Sequence, residues 1–177
     1  MVVALPEDML TDLVEVADAR PAQRVEAAPA PAALTELQAL IAKADKPLVI
    51  AGGGGWNAQA VADLKRFVET QNLPLAASFR CQDLFDNTDP HYAGDLGLAA
   101  GPVLVEAVKQ SDLLIVVGAR LGEMTTGGYA LVDIPTPKQA LVHVHASAEE
   151  IGRVYQPTLG INACLLYTSP SPRDVEE

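Results

Sequence analysis

The segment Lys46-Pro-Leu-Val-Ile-Ala-Gly-Gly-Gly-Gly-Trp-Asn57 runs a short apolar stretch into four consecutive glycines and then a helix start. Strand, glycine turn and helix in that order are how α/β proteins bring backbone close to a phosphate-bearing ligand. The helix N-terminus there offers free N–H groups and a favourable dipole. Gly53, Gly55 and Ala58 also satisfy the spacing G-x-G-x-x-A. The same glycines would equally serve a tight turn that only permits close packing. The motif names a class of ligand and no reaction.

The rest of the chain repeats the alternation. Leu34, Leu37, Leu40 and Ile41 fall at helical spacing, with the domain beginning near Thr35, and Pro47 stops that helix before a strand over 48–51. Asn57 is a suitable N-cap for a helix over 58–70, with Val61, Leu64, Phe67 and Val68 as its apolar stripe. A strand over 75–77, a long polar loop over 78–101, a helix over 102–109 and a continuous apolar strand over 113–117 follow. A strand over 140–144 and a helix over 148–154 complete the predicted pattern. Short apolar strands alternating with helices predict a doubly wound parallel α/β sheet of the Rossmann-like kind. Ligands sit outside the carboxyl ends of such strands, which here are the loops 52–57, 78–80, 118–126 and 145–147.

Composition narrows the partners. A chain of 177 residues with 49% apolar and 20% charged residues can bury a core. A net charge of −11 speaks against nucleic acid or an anionic membrane as partner. No apolar run approaches the ~20 residues needed to span a bilayer, so a cytoplasmic protein is the expectation. Cys81 and Cys164 form neither a disulfide framework nor a zinc spacing.

Candidate side chains are few. An NAD dehydrogenase should carry an acid at the end of its second strand, where this chain has Ala77 and Ser78. Arg120 after the strand 113–117, and Arg80 one loop earlier, could reach a phosphate or remain solvated. Glu123, Thr125 and Thr126 could meet ribose or water. His143 and His145 share one strand face without a third ligand at metal spacing, which favours packing. Cys81 lacks a neighbouring base in sequence, and Trp56 could stack on a ring or cap the core. No catalytic constellation and no metal-ligand set emerges.

Four stretches together carry a family likeness: Val2-Val-Ala-Leu-Pro-Glu-Asp8, Lys46-Pro-Leu-Val-Ile-Ala-Gly-Gly-Gly54, Ser111-Asp-Leu-Leu-Ile-Val-Val-Gly-Ala-Arg-Leu121 and Val142-His-Val-His-Ala-Ser-Ala-Glu-Glu-Ile-Gly152. In this order and spacing, the run 2–163 resembles the central domain of thiamine-diphosphate-dependent enzymes of the acetolactate synthase type. The resemblance implies that residues 1–17 end an upstream pyrimidine-binding domain, 18–33 form an Ala/Pro-rich linker, and 34–163 are a central nucleotide-binding-like domain. It implies a non-catalytic domain within a parent that acts on 2-oxo acids by carboligation or decarboxylation. Thiamine diphosphate and Mg2+ would be held by flanking domains, and the parent would be a homodimer or homotetramer.

In such domains FAD, ADP or nothing is bound. Matched residue by residue, the contacts would be Gly53, Gly54, the loop Ser78 to Arg80, Gly94, Gly97, Gly118, Ala119 and Arg120. Synthases usually follow that arginine with Phe-Asp-Asp-Arg, whereas this chain reads Leu121-Gly-Glu-Met-Thr-Thr-Gly127. The change alters the part of the site that would face the flavin or its ribityl chain. A free-standing NAD- or ADP-binding module and a purely structural domain are the alternatives.

The segment 164–177 breaks the preceding pattern, with two closely spaced prolines and no usable period. Cys164 to Asp174 resembles the in-frame translation of a transposase adapter from short-read sequencing libraries. The expectation is a non-native tail. Without its one Arg, one Asp and two Glu the net charge would move from −11 to −9.

Overall fold

The computed structural model describes residues 4–20 and 27–165. Six strands form one sheet in the order β3-β2-β1-β4-β5-β6, with every neighbouring pair parallel. The strands are β1 (Pro47–Ala51), β2 (Leu75–Ala77), β3 (Tyr92–Asp95), β4 (Leu113–Val117), β5 (Ala140–His145) and β6 (Leu159–Asn162). The helices are α1 (Pro31–Lys43), α2 (Ala58–Gln71) and α3 (Pro102–Gln110). This order is that of the doubly wound dinucleotide-binding sheet.

Strand alternation divides the core between the two faces. Val49, Ala51, Ile115 and Val117 pack with Leu37 of α1 and with Leu64 and Val68 of α2. Leu48, Ile50, Leu114 and Val116 point the other way, against Leu104 and Val108 of α3 and against Leu121, Val132 and Tyr155. All five residues of β4 are buried, because helices or loops cover both faces. Both helical ends of the switch are set by sequence. Asn57 Oδ1 accepts from the Ala60 N–H at 2.8 Å, and Asn72 closes α2 in the left-handed region at φ 50°.

Asp112 ties three strands at their amino ends. Its carboxylate accepts from the Asp45 and Lys46 N–H groups at 2.7 and 2.9 Å, and its carbonyl accepts from the Ala140 N–H at 2.9 Å. Partial burial alone would raise its pKa. The opposing N–H groups of Asp45, Lys46, Asp112 and Leu113 prevail and hold it below the ordinary value. A depressed carboxylate contributes stability above its unfolded pKa and loses it as pH falls through the folded one. Asp112→Ala is expected to cost about 1 kcal/mol at pH 7, a charged hydrogen-bond value reduced for solvent screening. The difference from the unaltered chain should vanish near pH 2 in urea titrations.

Several expectations are corrected. Helix α1 begins at Pro31, ahead of the apolar spacing that starts at Leu34 and inside the stretch expected to be linker, since proline suits the first helical turn and its ring presets φ. The loop 78–101 contains β3, which its polar, half-exposed edge position hid, with a bulge at Leu75/Ala76 and Gly94 at φ 120°. No helix forms over 148–154. Gly152 sits at φ 78° and Pro157 follows, leaving isolated turns. Strand β6 was unforeseen; its buried–exposed alternation is that of a short edge strand. Of the strand-like opening, residues 4–6 have no regular structure and Glu7–Thr11 is an exposed 3-10 turn, while residues 1–3 lie outside the described residues. The tail beyond Leu165 also lies outside them.

Candidate functional site: the crevice at the β1–β4 switch

Chain order reverses between β1 and β4, and their loops leave toward opposite faces of the sheet. A crevice must open at that point. The ladder runs one step past the strands: Gly52 N–H donates to Val117 O at 3.1 Å, Ser78 N–H to Ala51 O at 2.8 Å and Gly118 N–H to Val144 O at 2.9 Å. Beyond these bonds lies a cleft of about 620 Å³.

Two of its glycines are required by the protein itself. Gly53 has φ 76°, and a Cβ there would stand 2.0 Å from the Gly118 carbonyl oxygen. Gly118 has φ 71°, and its Cβ would lie 2.6 Å from the Gly52 carbonyl. The two loops therefore touch backbone to backbone. Gly54 and Gly122 differ: both line the cleft, neither has positive φ, and a Cβ on either would meet nothing within 4 Å. No packing reason makes these two glycines. Trp56 folds back over the turn, donating its indole N–H to the Gly52 carbonyl at 2.9 Å and packing on the core.

Two cations stand at the rim. Arg80 occupies the left-handed region at φ 62° in a turn closed by Cys81 N–H to Ser78 O at 3.0 Å, and its guanidinium lies 5.0 Å from the Phe79 ring centre. Arg120 is 72% exposed, with Nε 3.6 Å from Glu150 Oε2. A pair that exposed and that long is weak. Arg80 and Arg120 line one cleft together with the acidic Glu123, and in a chain of charge −11 the two arginines are the groups that could meet an anion there.

His143 and His145 form an edge-to-face pair 5.9 Å apart. His143 is buried and its Nε2 lies 3.1 Å from the Ala119 carbonyl, the geometry of an N–H donated to it. Burial lowers its pKa, against that hydrogen bond, so the ring is neutral. A lowered histidine stabilises the fold above the unfolded value near 6.5 and withdraws that contribution as pH falls below it. His145 accepts from the Ser147 N–H at 3.0 Å and lines the cleft.

Of the positions singled out in the sequence, Gly53, Gly54, the loop Ser78 to Arg80, Cys81, Gly118, Arg120, Glu123, Thr125 and His145 come together in the cleft. Gly55, Gly94, Gly97 and Ala119 do not line it. Gly55 shapes the turn at φ 91°, Gly94 lies in edge strand β3, and Ala119 is fully buried. Gly97 lines a neighbouring cavity of about 250 Å³. Gly122, Met124 and Ala146, inside the loops 118–126 and 145–147 but not named individually, also line the cleft, as does Leu165. For the first three, position at a strand's carboxyl end was the available signal. Among the described residues no group of three or more His, Cys, Asp or Glu side chains could hold a metal ion, and no helix is long and apolar enough to cross a membrane.

This architecture has known relatives. Residues 34–166 match the family described as thiamine pyrophosphate enzyme, central domain. The chain is 28% identical over 160 residues to a sulfoacetaldehyde acetyltransferase of Rhodobacter capsulatus, covering 90% of this chain and 27% of that protein. It is 28% identical over 134 residues to the acetolactate synthase isozyme 2 large subunit of Escherichia coli, covering 76% of this chain and 24% of that protein. With an acetolactate synthase large subunit of Parasynechococcus marenigrum it shares 34% identity over 125 residues, 71% of this chain and 20% of the relative. The chain thus spans about a quarter of the length of these curated relatives. With the sheet order and the match across most of its length in agreement, the chain belongs to the thiamine pyrophosphate enzyme central-domain family.

Proposed function

We propose that this chain is the non-catalytic central domain of a thiamine-diphosphate-dependent enzyme acting on 2-oxo acids, and that its cleft seats the diphosphate of FAD or ADP. The observation that carries the second part is Gly54. It is a glycine at the mouth of the switch-point cleft that neither backbone angle nor packing requires. A close-approaching ligand supplies the missing reason, and Arg80 and Arg120 supply the countercharge. Gly122 gives the same argument on the facing loop.

In the parent, thiamine diphosphate with Mg2+ would supply the carbanion chemistry, held by flanking domains. On this reading the residues of this domain bind and orient. The relatives carry the names of two different activities, so carboligation and decarboxylation of a 2-oxo acid both stand within the proposal. A homodimeric or homotetrameric parent belongs to the same reading, as do domain limits of 1–17, 18–33 and 34–163, with 164–177 non-native.

A second reading has its own observation. The mutual contact of Gly53 and Gly118 explains both residues by packing alone, as a spacer domain would need. Titrating ADP, FAD and NAD into the chain, followed by Trp56 fluorescence, separates the two. Saturable binding of ADP or FAD, tighter than NAD, is expected. Preference for NAD would favour a free-standing dinucleotide module, and no saturable binding of any of the three would leave the spacer.

A further inference from the structure

Beside the cleft, and sharing Thr125 with it, lies the second cavity of about 250 Å³. Its walls are aliphatic, with Leu96, Leu98, Ala100 and Val105 on the side of β3 and α3, and Ala130 and Leu131 on the loop after β4. That loop is held from within by one buried residue. The Thr126 N–H and Oγ1 both donate to the Gly122 carbonyl, at 3.1 and 2.9 Å. Its own carbonyl accepts from the Ala130 and Leu131 N–H groups at 3.1 and 3.0 Å. The opposite lip is equally constrained, since a Cβ on Gly97 would stand 2.9 Å from the Phe79 ring. The cavity is therefore bounded by fixed walls.

Among the described residues that line it, Lys109 is the one charged side chain. It makes no ion pair among them. Glu106, one turn earlier on α3, accepts instead from Gln110 Nε2 at 2.7 Å. Aliphatic walls with one free ammonium complement a molecule that has an apolar body and a single negative charge. A phosphate dianion would be left half compensated, and a nucleotide base would find few hydrogen-bond partners. Size narrows the class further. An apolar cavity of about 150 Å³ takes up benzene, so this one has room for a chain of about six to eight carbons. We propose that the cavity is a binding site for a short aliphatic monocarboxylate, its chain against Leu96, Val105 and Leu131 and its carboxylate on Lys109. The site is separate from the nucleotide cleft and does not rest on that reading.

The test titrates the isotope-labelled full chain with butyrate, hexanoate and neutral hexanamide at constant ionic strength, following backbone amides by nuclear magnetic resonance. Hexanoate should give saturable shifts centred on Leu96, Ala100, Lys109 and Leu131. It should bind about tenfold tighter than butyrate, because each buried methylene is worth about fourfold. Lys109 is exposed on its helix, so Lys109→Met should keep the fold. That variant should bind hexanoate about tenfold more weakly and hexanamide unchanged, a difference a merely structural lysine would not produce. Absence of saturable shifts at the cavity, or shifts centred on Arg80 and Arg120 instead, overturns the site. Equal affinity for hexanoate and hexanamide, or unchanged hexanoate binding by Lys109→Met, overturns the assignment of a carboxylate to it. ADP binding by the same protein judges the nucleotide reading separately.

Discussion

Replacing Gly53 by alanine should unfold this domain or nearly so, whereas the same change one residue later should leave it intact. At Gly53 the new Cβ would stand 2.0 Å from the Gly118 carbonyl oxygen, which belongs to backbone and has no rotamer to yield. The residue also sits at φ 76°, where an L side chain adds strain of about 1–2 kcal/mol. Separating the β1 and β4 loops to relieve the clash would disturb the bond from Gly52 N–H to Val117 O. The sum is an expected loss of about 3–5 kcal/mol, a large part of the stability of a domain this size. At Gly54 nothing lies within 4 Å of the added methyl, so stability should change by less than about 0.5 kcal/mol. Urea unfolding followed by Trp56 fluorescence measures both. Equal losses at the two positions would contradict the division between a packing glycine and a ligand-facing one.

Removing both rim guanidiniums should weaken ADP binding by about a hundredfold at low salt. Hydrogen bonds between arginine and phosphate are charge-assisted and worth about 1.5–3 kcal/mol each, so two of them reach that factor. The substitutions suited to the structure are Arg120→Ala and Arg80→Gly. Arg80 holds φ 62°, a conformation glycine adopts freely, so its replacement removes charge while relieving strain. Arg120 gives up only the long, exposed contact with Glu150, and the fold should lose less than about 1 kcal/mol. Raising ionic strength should weaken the unaltered protein more steeply than the double variant, because screening acts only on charges that are present. Calorimetric titration at two salt concentrations checks this. A double variant that binds ADP as tightly as the original would remove the arginines from the account.

The elements legible in the sequence were those whose signal is local. β2 and β4 fall where their apolar runs do, and the side chain of Asn57 caps α2 as its position suggested. Edge strands were not legible. β3 carries Gly94 and is only half covered, and β6 is four residues long with two of them exposed, so neither shows the continuous apolar run of a central strand. The absent helix over 148–154 meets Gly152, whose positive φ ends a helical run, with Pro157 close behind.

The cleft divides in the same way. Topology placed the loops after β1, β2 and β4 at one edge, and their residues Gly53, Ser78, Arg80, Gly118 and Arg120 do converge there. Sequence could not distinguish Gly53 from Gly54, since the difference is the distance to a carbonyl some 65 positions away. Nor could it foresee Leu165, which reaches Gly118 only because β6 returns beside β5.

The crevice between β1 and β4 is proposed to seat a nucleotide diphosphate. The most direct measurement is a titration of the isotope-labelled chain with ADP, following every backbone amide by nuclear magnetic resonance. Saturable shifts should concentrate at Gly53, Gly54, Ser78, Arg80, Gly118, Arg120 and Gly122, with α3 and the amino ends of the strands unmoved. No saturable shifts, or shifts centred elsewhere on the sheet, would contradict it.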